Sequence, residues 1–259
     1  DQLKDIMNEV MGLSKLQNRV KEKLGIKKVI IIPGNYEKNE SLLKDVAKQG
    51  AEYFLSILKD TNIVSITGGS TMLEFANSLR GDKKYNQTTI VPARGGVGKD
   101  VETQANNIVA ILGKKLGAHY KLLHIPDELG VEAMKTLSLE PEIKKTLNYI
   151  VDTDILVFGI GRADEMATRR KLPKKQVEEI LSKGAVGEAF GYYFNKDGEI
   201  VYELNTVGIN LETFKSVKNN IAIFAGASKA EAVTAISKVN DNMVIVTDEE
   251  SAYKILEIN

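Results

Sequence analysis

Apolar and polar positions along the chain alternate between two rhythms. Short unbroken runs of β-branched residues are separated by longer stretches with an apolar residue at every third or fourth place. The runs fall at 28–34, 62–66, 88–92, 120–126, 154–161, 221–226 and 243–247. The helical stretches include 42–58, with Leu43, Val46, Ala47, Tyr53, Phe54 and Ile57 on one side, and 70–79, with Met72, Phe75, Ala76 and Leu79. A helix is also expected over 100–116, with Val101, Ala105, Ile108 and Leu112 inward, and two shorter ones over 129–149, broken near Pro141. Strands that alternate with helices predict an α/β fold, a mostly parallel sheet with helices on both faces. In such sheets ligands sit beyond the carboxyl ends of the strands. One stretch breaks the order: residues 192–202 read as strand, Asp197-Gly198 turn, strand, a small β-hairpin insert.

The first 25 residues are amphipathic on a different period. Leu3, Ile6, Val10, Leu13, Gln17, Val20 and Leu24 step by three and four, a heptad seam with one polar position, and Gly25 is placed to end the helix. Two readings stand side by side: a stripe packed on its own domain, or a dimerising or connecting helix.

The run at 62–66 leads into Thr67-Gly68-Gly69-Ser70-Thr71. A first helical turn leaves unpaired N–H groups and the positive end of the helix dipole, glycines let an anion approach the backbone, and two hydroxyls add donors. Such a turn suits a phosphate. A plain strand–helix turn capped by Ser70 is the alternative. With no Lys after the glycines it is not a Walker loop, and without a third glycine it is not the dinucleotide fingerprint.

Further candidates lie at the ends of other runs. Arg94 stands beside Gly95 and Gly96, and an Arg fork can donate two bonds to one phosphate. Gln104 lies near the same rim. Glu188 sits among small residues in Gly184-Ala185-Val186-Gly187-Glu188-Ala189 and would accept from sugar hydroxyls. Lys229 follows Gly226-Ala227-Ser228 and would point at an anion. Arg169 and Arg170 read as the charged face of a short helix. His124 follows a strand and would line the cleft, whereas His119 would face solvent. Neither has a triad partner in view.

Composition narrows the classes. The chain has 259 residues, 43% of them hydrophobic, enough for a substantial core. Lys plus Arg and Asp plus Glu both number 35, so no bulk charge favours nucleic acid. There is no Cys, which excludes disulfides and thiolate metal sites, and two His are few for a zinc centre. No metal or cofactor is expected. No apolar run reaches membrane-spanning length, and no signal peptide is visible, so a cytoplasmic protein is expected. The first residue is Asp1, which suggests a piece of something longer.

Taken together, Ile66-Thr67-Gly68-Gly69-Ser70-Thr71, Pro92-Ala93-Arg94-Gly95-Gly96, Gly159-Ile160-Gly161-Arg162-Ala163, the stretch 184–193, Ala225-Gly226-Ala227-Ser228-Lys229-Ala230 and Val246-Thr247-Asp248-Glu249 resemble the effector-binding domain of the SorC family, in family order along nearly the whole chain. The resemblance implies the Rossmann-like fold shared with glucosamine-6-phosphate deaminase and ribose-5-phosphate isomerase, and a binding role without turnover. It implies a repressor of glycolytic genes whose separate N-terminal helix-turn-helix module, absent here, reads operator DNA. Residues 1–24 would then be the tether and 25–259 the effector domain. The implied effector is a phosphosugar, fructose 1,6-bisphosphate foremost, with dihydroxyacetone phosphate, glucose 6-phosphate and fructose 6-phosphate as further ligands. The implied assembly is a homo-dimer or tetramer. Carried over by position, Gly68, Gly69, Ser70 and Thr71 would cradle one phosphate; Arg94, Arg169 and Lys229 would neutralise phosphate charge; Gln104 and Glu188 would complete the pocket.

The residues themselves weigh against the enzymes of that fold. Ribose-5-phosphate isomerases carry Asp-Gly-Ala-Asp-Glu, and here the aligned stretch is Gly161-Arg162-Ala163-Asp164-Glu165, without the first carboxylate. No Asp-His pair of the deaminase kind can be placed. A pocket that grips phosphate without positioned acid and base groups binds rather than catalyses. An oligomerisation scaffold with an empty pocket is the third class.

Overall fold

The computed structural model describes residues 2–97 and 100–259. Its strands are β1 (Lys28–Ile32), β2 (Ile63–Ile66), β3 (Thr89–Pro92), β4 (His119–Tyr120), β5 (Ile155–Phe158), β6 (Gly161–Arg162), β7 (Ala185–Ala189), β8 (Tyr192–Asn195), β9 (Ile200–Glu203), β10 (Asn219–Ile223) and β11 (Met243–Asp248). Its helices are α1 (Gln2–Leu24), α2 (Leu42–Ile57), α3 (Ser70–Ser78), α4 (Ala105–Leu116), α5 (Val131–Leu137), α6 (Pro141–Val151), α7 (Ala163–Arg169), α8 (Lys174–Ser182), α9 (Leu211–Ser216), α10 (Ala230–Ser237) and α11 (Glu249–Glu257). A single 3₁₀ turn, Ala227–Lys229, leads into α10.

Seven strands form a parallel sheet in the order β1-β11-β10-β5-β2-β3-β4. Both faces are covered, which explains why β5 and β11 are buried along their whole length, β5 with apolar residues alone and β11 with apolar residues up to Val246. On one face α2, α3 and α4 bring Phe54, Met72, Phe75 and Leu112 against Ile66, Ile90 and Val157. On the other, α1, α6, α9, α10 and α11 bring Val20, Ile150, Phe214, Ile236 and Ile255 against Leu156, Ala222 and Ile245. The expected α/β architecture is what the chain adopts.

Several expectations are corrected. The hairpin of 192–202 exists as β8 and β9, but it is half of a four-stranded antiparallel sheet, β6-β7-β8-β9. Strand β7 has no readable period because its small residues serve close packing: a Cβ on Gly187 would lie 3.0 Å from Ala232 Cα in α10. The helix expected from Asp100 begins only at Ala105, and Val101, expected inward, is exposed. The strand expected over 120–126 ends at Tyr120. Beyond it the Asn106 side chain takes the ladder's place, accepting from Leu123 N–H at 2.9 Å and donating to its carbonyl at 3.1 Å.

Helix α1 divides the two readings of its seam. Leu16, Val20 and Leu24 are buried on the domain, and the one polar seam residue, Gln17, accepts from the Ile31 N–H of edge strand β1 at 2.9 Å. Gly25 closes the helix with φ 63° and donates to Lys21 C=O at 2.9 Å. Farther out, Met7, Val10 and Met11 are exposed. The side chains of Leu3 and Ile6 lie outside the described residues. No helix among the described residues is long and apolar enough to cross a membrane.

Leu16→Ala should therefore destabilise the chain by about 2–5 kcal/mol, the usual range for a buried Leu. Val10→Ala should stay within about 0.5 kcal/mol of the parent. Urea unfolding at neutral pH measures both.

Candidate functional site

The order of the parallel sheet fixes where a ligand can enter. From β2 the chain winds outward through β3 and β4, then returns to β5 on the other side of β2 and winds toward β1. The loops after β2 and β5 thus diverge, and a crevice opens between them at the carboxyl ends. A cavity of about 890 Å³, its mouth included, occupies that crevice. All nine residues expected from sequence (Gly68, Gly69, Ser70, Thr71, Arg94, Gln104, Arg169, Glu188 and Lys229) line it.

The glycine turn is shaped by contact with a second helix. Gly68 lies so close to α4 that a Cβ would come 2.6 Å from Thr103 C=O and 3.2 Å from Ala105 N. Gly69, with φ 118°, donates its N–H to Thr103 C=O at 2.8 Å. A residue with a side chain rarely adopts that backbone conformation. The two glycines bring the N-termini of α3 and α4 together at one wall of the cavity. Among the described residues, the N–H groups of Gly68, Ser70, Thr71 and Met72 and both hydroxyls have no protein acceptor. The N-terminus of α3, with its cluster of open donors, lies on the cavity beside the first residue of α4, a ready site for an anion.

The opposite wall carries charge of both signs. Arg94, after β3, forks onto Asp127, with Nε–Oδ1 at 3.1 Å and Nη2–Oδ2 at 2.6 Å, and its Nη1 donates to Glu188 Oε1 at 3.3 Å. Arg170, after α7, donates to Asp127 at 2.8 Å, to Glu128 at 2.9 Å and to Glu188 at 3.3 Å. Burial by itself would lower the pKa of Arg94, and the two carboxylates more than reverse this, so it is held charged. Burial pushes the Asp127 carboxyl up to about 6, although Arg94 opposes it. Arg94 was expected to hold phosphate with its fork; here the fork is on Asp127.

Other expectations are also refined. Gln104 turns back on its own loop, accepting from Val97 N–H at 3.2 Å and donating to Val97 C=O at 2.6 Å, so it shapes the rim. Gly98 of that loop lies outside the described residues. In the Gly226–Lys229 turn, expected as a second anion-binding turn, Asp248 accepts the Gly226 N–H at 3.0 Å and Glu37 the Ala227 N–H at 2.6 Å. What that turn offers the cavity is the Lys229 side chain. Neither Lys229 nor Arg169 has an ion pair among the described residues. Burial lowers the Lys229 pKa, Arg169 and Arg162 add to the effect, and Glu165 opposes it. His124 is exposed and outside the cavity lining, contrary to expectation, and His119 is exposed as expected.

Three residues escaped sequence reading. Asp127 and Arg170 gave no motif, and Arg170 looked like a surface residue although its side chain is 1% exposed. Phe190 lines the cavity with φ 56°, in the left-handed region, at a two-residue turn with Gly191 at φ 90°. Phe158 and Phe214 hold its ring, with centroids at 5.3 and 5.1 Å, and Gly191 N–H donates to Glu188 Oε1 at 2.6 Å. Strain of this kind collects where surrounding packing over-determines a functional turn.

An open parallel sheet with a cavity at its switch point, closed on one side by a small antiparallel sheet, defines an α/β domain that binds a small molecule. The chain matches the sugar-binding domain family over residues 8–257. It is 39% identical over 254 residues to the central glycolytic genes regulator of Bacillus subtilis (strain 168), spanning 98% of this chain and 75% of that one. Identity to the regulator of the same name from Priestia megaterium is 37% over 256 residues, with the same shares. A SorC family transcriptional regulator from Enterococcus faecalis matches with a TM-score of 0.85 at 31% identity, covering 93% of this chain and 99% of that one. The full-length sorbitol operon regulator SorC from Klebsiella pneumoniae shares the fold, with a TM-score of 0.84 at 17% identity over 96% of this chain and 82% of that one. This chain belongs to the sugar-binding domain family of transcriptional regulators.

An unpaired, largely desolvated ammonium is unfavourable in the empty domain. Lys229→Met should raise the melting temperature by about 2–4 °C, the shift that about 1 kcal/mol makes in a chain of this size. Calorimetric melting without ligand measures it; a lower melting temperature would contradict the assignment of Lys229 as an unpaired cation.

Proposed function

We propose that this chain is the effector-sensing domain of a bacterial repressor of glycolytic genes, and that it binds a phosphorylated sugar without turning it over. Fructose 1,6-bisphosphate is the first choice of effector, on the strength of the likeness to the central glycolytic genes regulators. The observation that carries the reading is the open N–H groups at the N-terminus of α3, beside the start of α4, on one cavity that also holds Arg169 and Lys229, neither of them ion-paired among the described residues. One phosphate rests on Gly68, Gly69, Ser70 and Thr71. Arg169 and Lys229 neutralise the remaining phosphate charge, Arg94 adds positive potential from the wall, and Gln104 keeps the rim in place. Glu188 accepts from sugar hydroxyls. Fructose 6-phosphate, glucose 6-phosphate and dihydroxyacetone phosphate, each with one phosphate, occupy the same turn and bind less tightly.

Sensing rather than catalysis is supported by the groups present. Asp164, in the stretch aligned with the isomerase motif, is paired with Arg162 at 2.5 Å and does not line the cavity. Glu188 is the one carboxylate among the lining residues, and guanidinium groups hold it. A ligand shifts an equilibrium only through its differential affinity for two states. The effector acts by changing how subunits of the homo-oligomer pair, which alters the spacing of attached operator-reading modules and weakens their grip on DNA.

Calorimetry with fructose 1,6-bisphosphate, the monophosphates and plain fructose tests the reading. Saturable binding that requires phosphate, with the ligand recovered unchanged, is expected. Thr71→Ala and Arg169→Ala should each weaken binding about 10- to 100-fold, as expected for a bond to a charged group. Isomerised or deaminated product would favour an enzyme of the same fold, and equal binding of plain fructose would remove the phosphate from the account.

A further inference from the structure

Arg170 is charged and almost fully buried, yet it is not among the residues that line the cavity. Its neighbour in sequence, Arg169, is. Behind the cavity wall the Arg170 Nη1 joins Asp127 and Glu128, and Nη2 donates to Glu188 Oε1. That same oxygen accepts from Arg94 Nη1 and, at 2.6 Å, from Gly191 N–H. Oε1 thus has three donors from three segments, whereas Oε2 has no donor among the described residues and is not sealed from solvent. Glu188 itself is 3% exposed and lines the cavity. Oε2 is thus the acceptor left open on a residue that lines the ligand space.

A carboxylate held in place by two guanidinium groups and a backbone N–H accepts hydrogen bonds and does not donate them. Facing a ligand, it attracts a hydroxyl and repels a phosphate oxygen. Without Arg170 the Glu188 carboxylate loses one of the three donors that fix it, and its preference for hydroxyl over phosphate fades.

Resting on the phosphosugar reading above, we propose that Arg170, braced by Asp127, is a positioning residue that sets specificity. It acts through Glu188 to make the cavity select bisphosphates that carry sugar hydroxyls over bisphosphates that carry none.

The test compares two probes with the same two phosphates, fructose 1,6-bisphosphate and hexane-1,6-diol bisphosphate, by calorimetry on the whole chain. The parent should prefer the sugar at least about 100-fold, two or so hydroxyl bonds to a charged group. In Arg170→Met the sugar should lose about 10-fold or more while the diol bisphosphate changes less than about threefold, so the ratio collapses. Glu188→Gln should collapse the ratio as well, and the double variant should lose little more than either single one, the signature of two residues acting as a unit. Equal losses for both probes in Arg170→Met, an unchanged ratio, or additive losses in the double variant would each overturn the proposal. If Arg170→Met does not fold, the ratio in Glu188→Gln and in Arg170→Lys decides: in the lysine variant the fork is lost, and the ratio should fall part of the way. A parent that prefers the sugar by less than about threefold would overturn the hydroxyl selection alone. A parent that binds neither probe would overturn the phosphosugar reading itself.

Discussion

Two guanidinium groups and two carboxylates share one buried site where the two sheets meet. Arg94 comes from the end of β3 in the parallel sheet and Glu188 from β7 in the antiparallel one, while Asp127 lies between β4 and α5 and Arg170 between α7 and α8. Taking four charges out of water is costly, and only mutual pairing with good geometry offsets it. The arrangement has both: Asp127 takes the fork of Arg94 and a bond from Arg170, and Glu188 takes one from each. Replacing any one of the four would leave an uncompensated charge. The cluster ties the two sheets together beside the cavity.

The ligand space has an electrostatic division that follows from the fold. On the parallel-sheet side, helix N-termini and open N–H groups favour negative charge. On the antiparallel side, the wall ends in the Glu188 acceptor and the Phe190 ring. A molecule with a phosphate at one end and hydroxyls farther along meets a complementary surface at both places. A ligand spanning the two places would touch both sheets and so favour one relative placement of them. That is the physical route by which occupancy of a small cavity can reach the subunit contacts of a regulator.

How much of this was legible in the sequence follows from the range of the signals. The parallel sheet was readable because β-branched runs and helical spacing are local, and the glycine turn because phosphate sites on helix N-termini have a short linear signature. The start of α4 was misplaced because Val101 fits a helical period, while the loop is set by Gln104 folding back on Val97, a tertiary bond. Strand β7 was invisible because its small residues answer to Ala232 across the chain and not to any alternation. Arg94 was found, but its partner Asp127 is 33 residues away with no motif around it, so its fork was assigned to the ligand. Arg170 looked like a solvated neighbour of Arg169 for the same reason: helix position separates the two, and composition does not.

The claim on which the account turns is that a phosphate settles on the paired N-termini of α3 and α4. Amide chemical shifts in a 15N-labelled chain report this directly, because an N–H that gains a charged acceptor moves downfield. During titration with fructose 1,6-bisphosphate, the amides of Gly68, Ser70, Thr71 and Met72 should move farthest and saturate together, with Glu188 and Gly191 following at the far wall. Saturation with the largest shifts elsewhere, and with Ser70 and Thr71 unmoved, would contradict it.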